Sequence, residues 1–332
     1  MPAIKTEITE LATGLGTTGL SIGESFAARP PVLRNVPGEV WTRVADAFTR
    51  GDEADLFGAA FENGQALLHA GEGLRDRRPL LVEWKGPHRP PGDNVIPADL
   101  RIDHVYLVSC KYLSNIVHNP GPSRLFDRLL SGEGRSSVDW FAEVALPEYQ
   151  TLYESARNGA SVDLPDAVTD LNREQQRALR DSLRDRELPQ DMREPWADFC
   201  SAVSVATARR WASNLTTASA RLRLFWRLVR ICDASYFVLG AAPQTTLRFR
   251  VMSAWDWMQT FELRGFEVTA SDVGQPQVGW SAMTRRRDGG EEQIVDGHVE
   301  IRWSHGRFNG MPEAKVYLDT PHDAVPGYIT LS

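Results

Sequence analysis

The chain has 332 residues, 42% hydrophobic and 24% charged, and a formal net charge of −7. These values exclude a disordered chain and argue against a protein that coats nucleic acid indiscriminately, although a local basic face is compatible with an acidic total. No apolar run reaches the roughly 18 residues that span a bilayer, and the opening MPAIKTEITELATGLG lacks basic and apolar signal regions, so neither secretion nor membrane insertion is expected.

Residues 1–38 carry Gly, Thr and Pro punctuation with little periodicity, which predicts an irregular arm. Over 39–70, Val40, Val44 and Phe48, then Leu56 and Ala60, recur at helical spacing, with Gly51 dividing two helices. The stretch Asp52 to Asp55 suits the second helix's N-terminus. PLLVEWKG at 79–86 reads as a short strand closed by the breakers GPHRPPGDNVIP. From Leu100 to Tyr112, alternation puts Asp103, Val105, Leu107, Ser109 and Lys111 on one face of a single strand. His104, Tyr106, Val108, Cys110 and Tyr112 take the other. YLSNIVHNP and SRLFDRLL look like short helical pieces. Residues 137–232 are helix-rich, including a long helix from Trp196 to Ile231, and strands follow from Ala234 onward. The expected organisation is α/β (α+β) in four parts: an arm over 1–38, a core over 39–135, a helical region over 136–233 and a β-rich region over 234–332.

Cys110, Cys200 and Cys232 have neither CxxC nor zinc-site spacing, so they read as reduced thiols of a soluble cytoplasmic protein. Only four of the 37 basic residues are lysine, which marks Lys5, Lys85, Lys111 and Lys315 as places where a compact ammonium is preferred over a guanidinium fork.

Two of those lysines belong to an ordered set: a helix with Glu62, a strand with Glu83 and Lys85, and a strand with Asp103 and Lys111. That order, with FENGQALL as a first helix and VSCKYLSNIVHN as an acid-x-lysine strand running onward, resembles the PD-(D/E)xK nuclease superfamily. The resemblance implies a restriction-endonuclease-like mixed sheet flanked by helices. It implies a metal-dependent DNA endonuclease, using Mg²⁺ or Mn²⁺ in restriction or antiviral defence, as a homodimer or with partner subunits. Glu62, Glu83 and Asp103 would be its metal ligands, and Lys111 or Lys85 would position the water. Ser109 occupies a slot that is usually acidic. Such residues are wanted together because phosphodiester hydrolysis needs a divalent metal to neutralise developing charge and supply hydroxide, and hard Mg²⁺ takes carboxylate oxygens. Two registers are open. A tight loop over 87–98 would set Glu83 opposite Asp103, giving a site of Glu83, Lys85 and Asp103. A second strand beginning after Asp103 would instead bring Glu83 near Ser109 and Lys111. Serine in the acidic slot also leaves an alternative, a catalytically inactive nuclease-like subunit that binds nucleic acid or serves as a scaffold.

Further along, no acidic residue lies between Asp198 and Asp233, whereas Arg209, Arg210, Arg223, Arg227 and Arg230 do. The last three share a helical face that could grip phosphates, with Trp211 and Trp226 as stacking partners. Arg285, Arg286 and Arg287 before Asp288-Gly289-Gly290 read as a basic hairpin tip. Glu313 and Lys315, with His305 and Asp319 nearby, form a second acid-x-lysine pattern and the runner-up location for a site.

Overall fold

The computed structural model describes residues 4–86, 96–112, 116–131, 138–160, 163–183, 187–242, 245–271 and 273–332. The chain builds two compact units by alternating between them. Met1–Asn115, Ile231–Glu262 and Pro321–Ser332 form the first, and Ile116–Arg230 with Leu263–Thr320 form the second. The boundary expected after 233 lies three residues from the unit boundary at Arg230, whereas those expected after 38 and 135 match none, because strand pairing joins segments far apart in sequence.

The first segment contributes helices α1 (Ile4–Gly16), α2 (Ile22–Ala28), α3 (Gly38–Arg50) and α4 (Ala54–His69). Its strands are β1 (Leu33–Arg34), β2 (Val82–Trp84), β3 (Leu100–Ile102) and β4 (Tyr106–Tyr112). Residues 4–16 and 22–28 are therefore helical, not part of an irregular arm. Ile8, Leu11, Ala12 and Leu15 stand at i, i+3, i+4 and i+7 and are fully buried, so α1 is a core helix. The glycines that suggest a loop serve a helix contact instead. A Cβ on Gly16 would stand 2.1 Å from the Phe61 carbonyl oxygen, and one on Gly64 2.1 Å from that of Thr13, so α1 and α4 meet backbone to backbone. Ser21 and Glu24 form a capping box that starts α2, and Gly51 at φ 76° closes α3.

The chain then forms β5 (Ile116–His118), α5 (Pro122–Phe126), α6 (Trp140–Asn158), α7 (Arg173–Ser182), α8 (Arg193–Asn214) and α9 (Ala218–Leu228) of the second unit. It returns to the first for β6 (Tyr236–Ala242), β7 (Thr245–Val251) and α10 (Ala254–Thr260). Next come β8 (Phe261–Ser271), β9 (Gln277–Arg286), β10 (Glu292–Arg302) and β11 (Glu313–Leu318), and β12 (Tyr328–Thr330) rejoins the first unit.

The protein is thus mixed α/β. The first unit holds a mixed seven-stranded sheet, ordered β1-β2-β3-β4-β6-β7-β12. Within it β2, β3 and β4 form an antiparallel meander, and β4 runs parallel to β6. Parallel neighbours need a long crossover, and the whole 116–230 segment supplies it. Gly240 on β6 has φ 154°, and a Cβ there would lie 2.1 Å from the Lys111 carbonyl oxygen, so β4 approaches where only glycine fits. Val82, Trp84, Leu100, Ile102 and Val108 join α1 and α4 in one apolar core on one face of this sheet.

The second unit has an antiparallel five-stranded sheet, ordered β5-β11-β10-β9-β8. Its core is aromatic. Phe141 packs edge-on against Phe199 and Trp303 at 4.9 and 4.6 Å between ring centres, and Trp303 lies parallel to Phe199 at 6.0 Å. Three local expectations are corrected. The expected long helix is two, because Thr217 caps Ala220 N and starts α9 afresh. Residues 116–118, expected as helical, pair with β11, while 113–115 lie outside the described residues. The expected single strand from Leu100 to Tyr112 is a hairpin. No helix among the described residues is long and apolar enough to cross a membrane.

Candidate active site

The β3–β4 hairpin decides which charged groups meet. Asp103 and His104 adopt φ of 47° and 60°, a left-handed pair that reverses the chain between Ile102 and its partner Tyr106. Asp103 Oδ1 accepts hydrogen bonds from Leu80 N and Leu81 N at 2.9 and 3.0 Å, and Arg77 Nη1 lies 3.1 Å from Oδ2. Asp103 is thus the bracket of a turn. Beside it, Glu83 faces Arg101 across β2 and β3 and accepts from its Nε and Nη2 at 2.6 and 3.0 Å, with His104 Nδ1 3.3 Å away. The Arg101 hydrogen bonds hold the Glu83 carboxyl below the usual carboxylate range.

The shared site expected of Glu62, Glu83 and Asp103 does not form. Glu62 is exposed on α4, on the helix-covered side of the sheet, while Glu83 and Asp103 are each held by their own arginine. Among the described residues no group of three or more His, Cys, Asp or Glu side chains is placed to hold a metal ion. Neither register left open by the sequence describes the outcome. The hairpin carries Ser109 and Lys111 away from Glu83, whose partner Arg101 pairs with Leu107. Lys111 lies four residues further along β4, about 13 Å at roughly 3.3 Å per residue.

At that other end a different acid appears. Asp99 precedes β3, donates its amide to Val108 O at 2.7 Å and accepts Lys85 N on its own carbonyl at 2.9 Å. Its carboxylate Oδ2 accepts from Cys110 N at 2.7 Å and from the Ser109 hydroxyl at 3.4 Å. With Val82, Leu100 and Val108 in the core, alternation puts Lys85, Asp99, Ser109 and Lys111 on the opposite face of the sheet. Of the expected set, Ser109 therefore contacts Asp99, and the register puts Lys85 and Lys111 on the same face of the sheet. Ser109 is buried, whereas Asp99, Lys85 and Lys111 are partly exposed. On the helix side, burial, followed by the charges of Asp99 and Glu10, pushes the Cys110 thiol up, so it is neutral and no nucleophile.

Asp99 stands across the hairpin from Ser109 in the register set by Leu100 and Val108, which the sequence alone does not show without the turn. Two more acids went unread on α1. Glu7 receives a bidentate pair from Arg43, and Glu10 accepts Trp84 Nε1 at 2.5 Å. The same spacing that makes α1 amphipathic would have placed them.

The donor set at Asp99 consists of hard oxygens, a carboxylate and a hydroxyl. Mg²⁺ takes such oxygens, but the set is one partly exposed carboxylate and one buried hydroxyl that donates to it, fewer than a closed cage needs.

The expected phosphate-gripping arginines are largely committed to the protein. Arg210 bridges Asp127 and Glu143 at 2.7 and 2.8 Å, Arg227 donates to Leu129 O at 2.6 Å, and Arg230 lies beyond α9, 3.1 Å from His118 Nδ1. Arg209 and Arg223 are exposed. Trp211 is fully buried, edge-on to Phe126, and offers no stacking face. Arg285, Arg286 and Arg287 do lie at the β9–β10 hairpin tip, with Arg285 donating to Gly290 O at 3.2 Å and Arg286 paired with Asp288 at 2.7 Å. At the runner-up location Glu313 accepts from Asn119 and Ser304, Asp319 pairs with His298 at 2.8 Å, and Lys315 faces Glu300. These groups brace β10 and β11.

Comparison with known proteins returns no match to a family model, a curated protein or a solved structure.

Proposed function

We propose that the first unit is a metal-dependent DNA endonuclease centre that hydrolyses phosphodiesters at Asp99, Ser109 and Lys111. One observation carries this reading. An acid before one strand of an antiparallel pair has its carboxylate 2.7 Å from the backbone of the x-lysine segment on the next. That is the arrangement the nuclease resemblance calls for, displaced from Asp103 to Asp99.

In this reading Asp99 and the Ser109 hydroxyl would hold Mg²⁺ or Mn²⁺, which would supply charge neutralisation for the phosphate and a more acidic water. The Cys110 amide fixes the Asp99 carboxylate. Lys111, anchored where its backbone presses on Gly240, orients the attacking water and offsets charge developing on the phosphate. Lys85 adds a second cation for the bound strand.

The test is nicking of supercoiled plasmid with Mg²⁺ or Mn²⁺ by the wild type, Asp99→Asn, Lys111→Met and Glu62→Ala. Asp99→Asn keeps the hydrogen bond from Cys110 and removes the charge. The expected result is loss of at least a hundredfold in rate for the first two variants and wild-type rate for Glu62→Ala. Cleavage that survives both, or a wild type that never cleaves, overturns the proposal. The second reading, a non-catalytic nucleic-acid-binding or scaffold subunit, is favoured by Ser109 in the acidic slot, and DNA retained in a gel shift without cleavage would select it.

A further inference from the structure

The second unit contains a cavity of about 660 Å³, within the roughly 300–1,000 Å³ of small-molecule sites. Its lining includes Arg180, Trp196, Arg302, Trp303, His305 and Arg307, with no carboxylate. The acids that balance two of these cations do not line it: Asp181 pairs with Arg180 at 2.6 Å and Glu300 with Arg302 at 3.3 Å. Arg307 makes no ion pair with a described residue. Its guanidinium lies 5.3 Å over the Trp196 ring.

The walls are fixed. Trp196 Nε1 donates to Gly274 O at 2.9 Å, and Trp303 is clamped parallel to Phe199. Gly306, at φ 97°, lets the segment before β11 press onto Arg180, since a Cβ there would lie 2.6 Å from that side chain's Cγ. A rigid aromatic surface capped by an arginine plane and rimmed by further arginines suits a ligand with a flat π-face and a nearby anion. Nucleobases stack on both indole and guanidinium planes, and the attached phosphate supplies the anion.

We propose that this cavity binds one nucleotide of a single-stranded or extruded stretch of nucleic acid. Its base lies against the Arg307–Trp196 pair and its phosphate among Arg180 and Arg302. The inference rests on the nucleic-acid reading above and assigns the second unit a part in it: holding a nucleotide out of the stack, the step that needs an aromatic pocket with positive charge at its mouth.

The test is fluorescence anisotropy of the full chain in EDTA, where no metal-dependent hydrolysis occurs, with a labelled single-stranded 20-mer, the matching duplex and free nucleoside monophosphates as competitors. Tighter binding of the single strand is expected. Trp196→Ala and Arg307→Gln should each weaken it by about tenfold or more, and Trp196→Phe should retain most of it, with thermal melting confirming that each variant is folded. Single-strand binding unchanged by both substitutions overturns the pocket and leaves the nuclease reading intact, whereas no binding of either oligonucleotide overturns both. Substitution-sensitive binding in a chain that never cleaves plasmid upholds the pocket and removes the nuclease centre.

Discussion

Asp99 and Asp103 lie four residues apart and have different duties. Asp103 satisfies two backbone amides and an arginine at a turn whose φ values suit Asp better than most residues. Asp103→Ala should therefore lower the unfolding free energy by about 1–3 kcal/mol, measured in urea, because Leu80 and Leu81 lose their acceptor. Asp99→Asn should leave that curve nearly unchanged while removing any cleavage, so the pair separates folding from chemistry. Glu83 makes a third prediction. Its carboxyl is depressed by the Arg101 hydrogen bonds, so the pair's stabilisation is present above the ordinary glutamate value near 4.3. It is lost as pH falls through the lower folded value. Arg101→Met should flatten the fall in stability between about pH 5 and 3 in urea unfolding across that range, and an unchanged slope would show that other carboxylates dominate acid unfolding. From sequence, Asp103 attracted attention because unbroken alternation from Leu100 to Tyr112 conceals a turn. Nothing in alternation reports a sign change in φ. Asp99 was hidden because a hairpin partner is recognised only once the turn is known.

Strand β2 and strands β6 to β11 were legible as β-rich runs, and α3, α4, α6 and α7 from helical spacing, whereas β3 with β4, and α8 with α9, each read as one element. Helix α1 was not, although its apolar positions are regular. Gly14, Gly16, Thr13 and Thr17 lower helix propensity, and only the partner helix reveals why they are there. Gly16 and Gly64 let two backbones touch, so Gly64→Ala should destabilise the chain by about 1–3 kcal/mol or more through overpacking, read as a lower melting temperature. A neutral result would mean that α1 and α4 can separate without cost. Gly23 has open space around it, so Gly23→Ala serves as the control, with the higher helix propensity of alanine.

The two units could not be read from composition, since each is assembled from separated segments and no linker-like stretch marks them. What fixes them is pairing: β4 with β6, β7 with β12, and β5 with β11. A fragment of 116–230 alone should lack β8 to β11 and unfold without cooperativity in a thermal melt. The same fragment joined by a short linker to 263–320 should regain a single sharp transition, and sharp unfolding of the short fragment would show that its helices suffice. The interleaving also sets an order in time. A growing chain emerges from its N-terminus, so β3 and β4, with Asp99 and Lys111, are made long before β6 arrives to lie beside Lys111, and β12 follows still later. For roughly 6–25 seconds on the ribosome, at about 5–20 residues per second, the chain carries Asp99 and Lys111 on an unfinished sheet. A DNA-cleaving centre assembled this way would be silent on nascent chains, and truncated products of interrupted synthesis would be harmless to the cell that makes them.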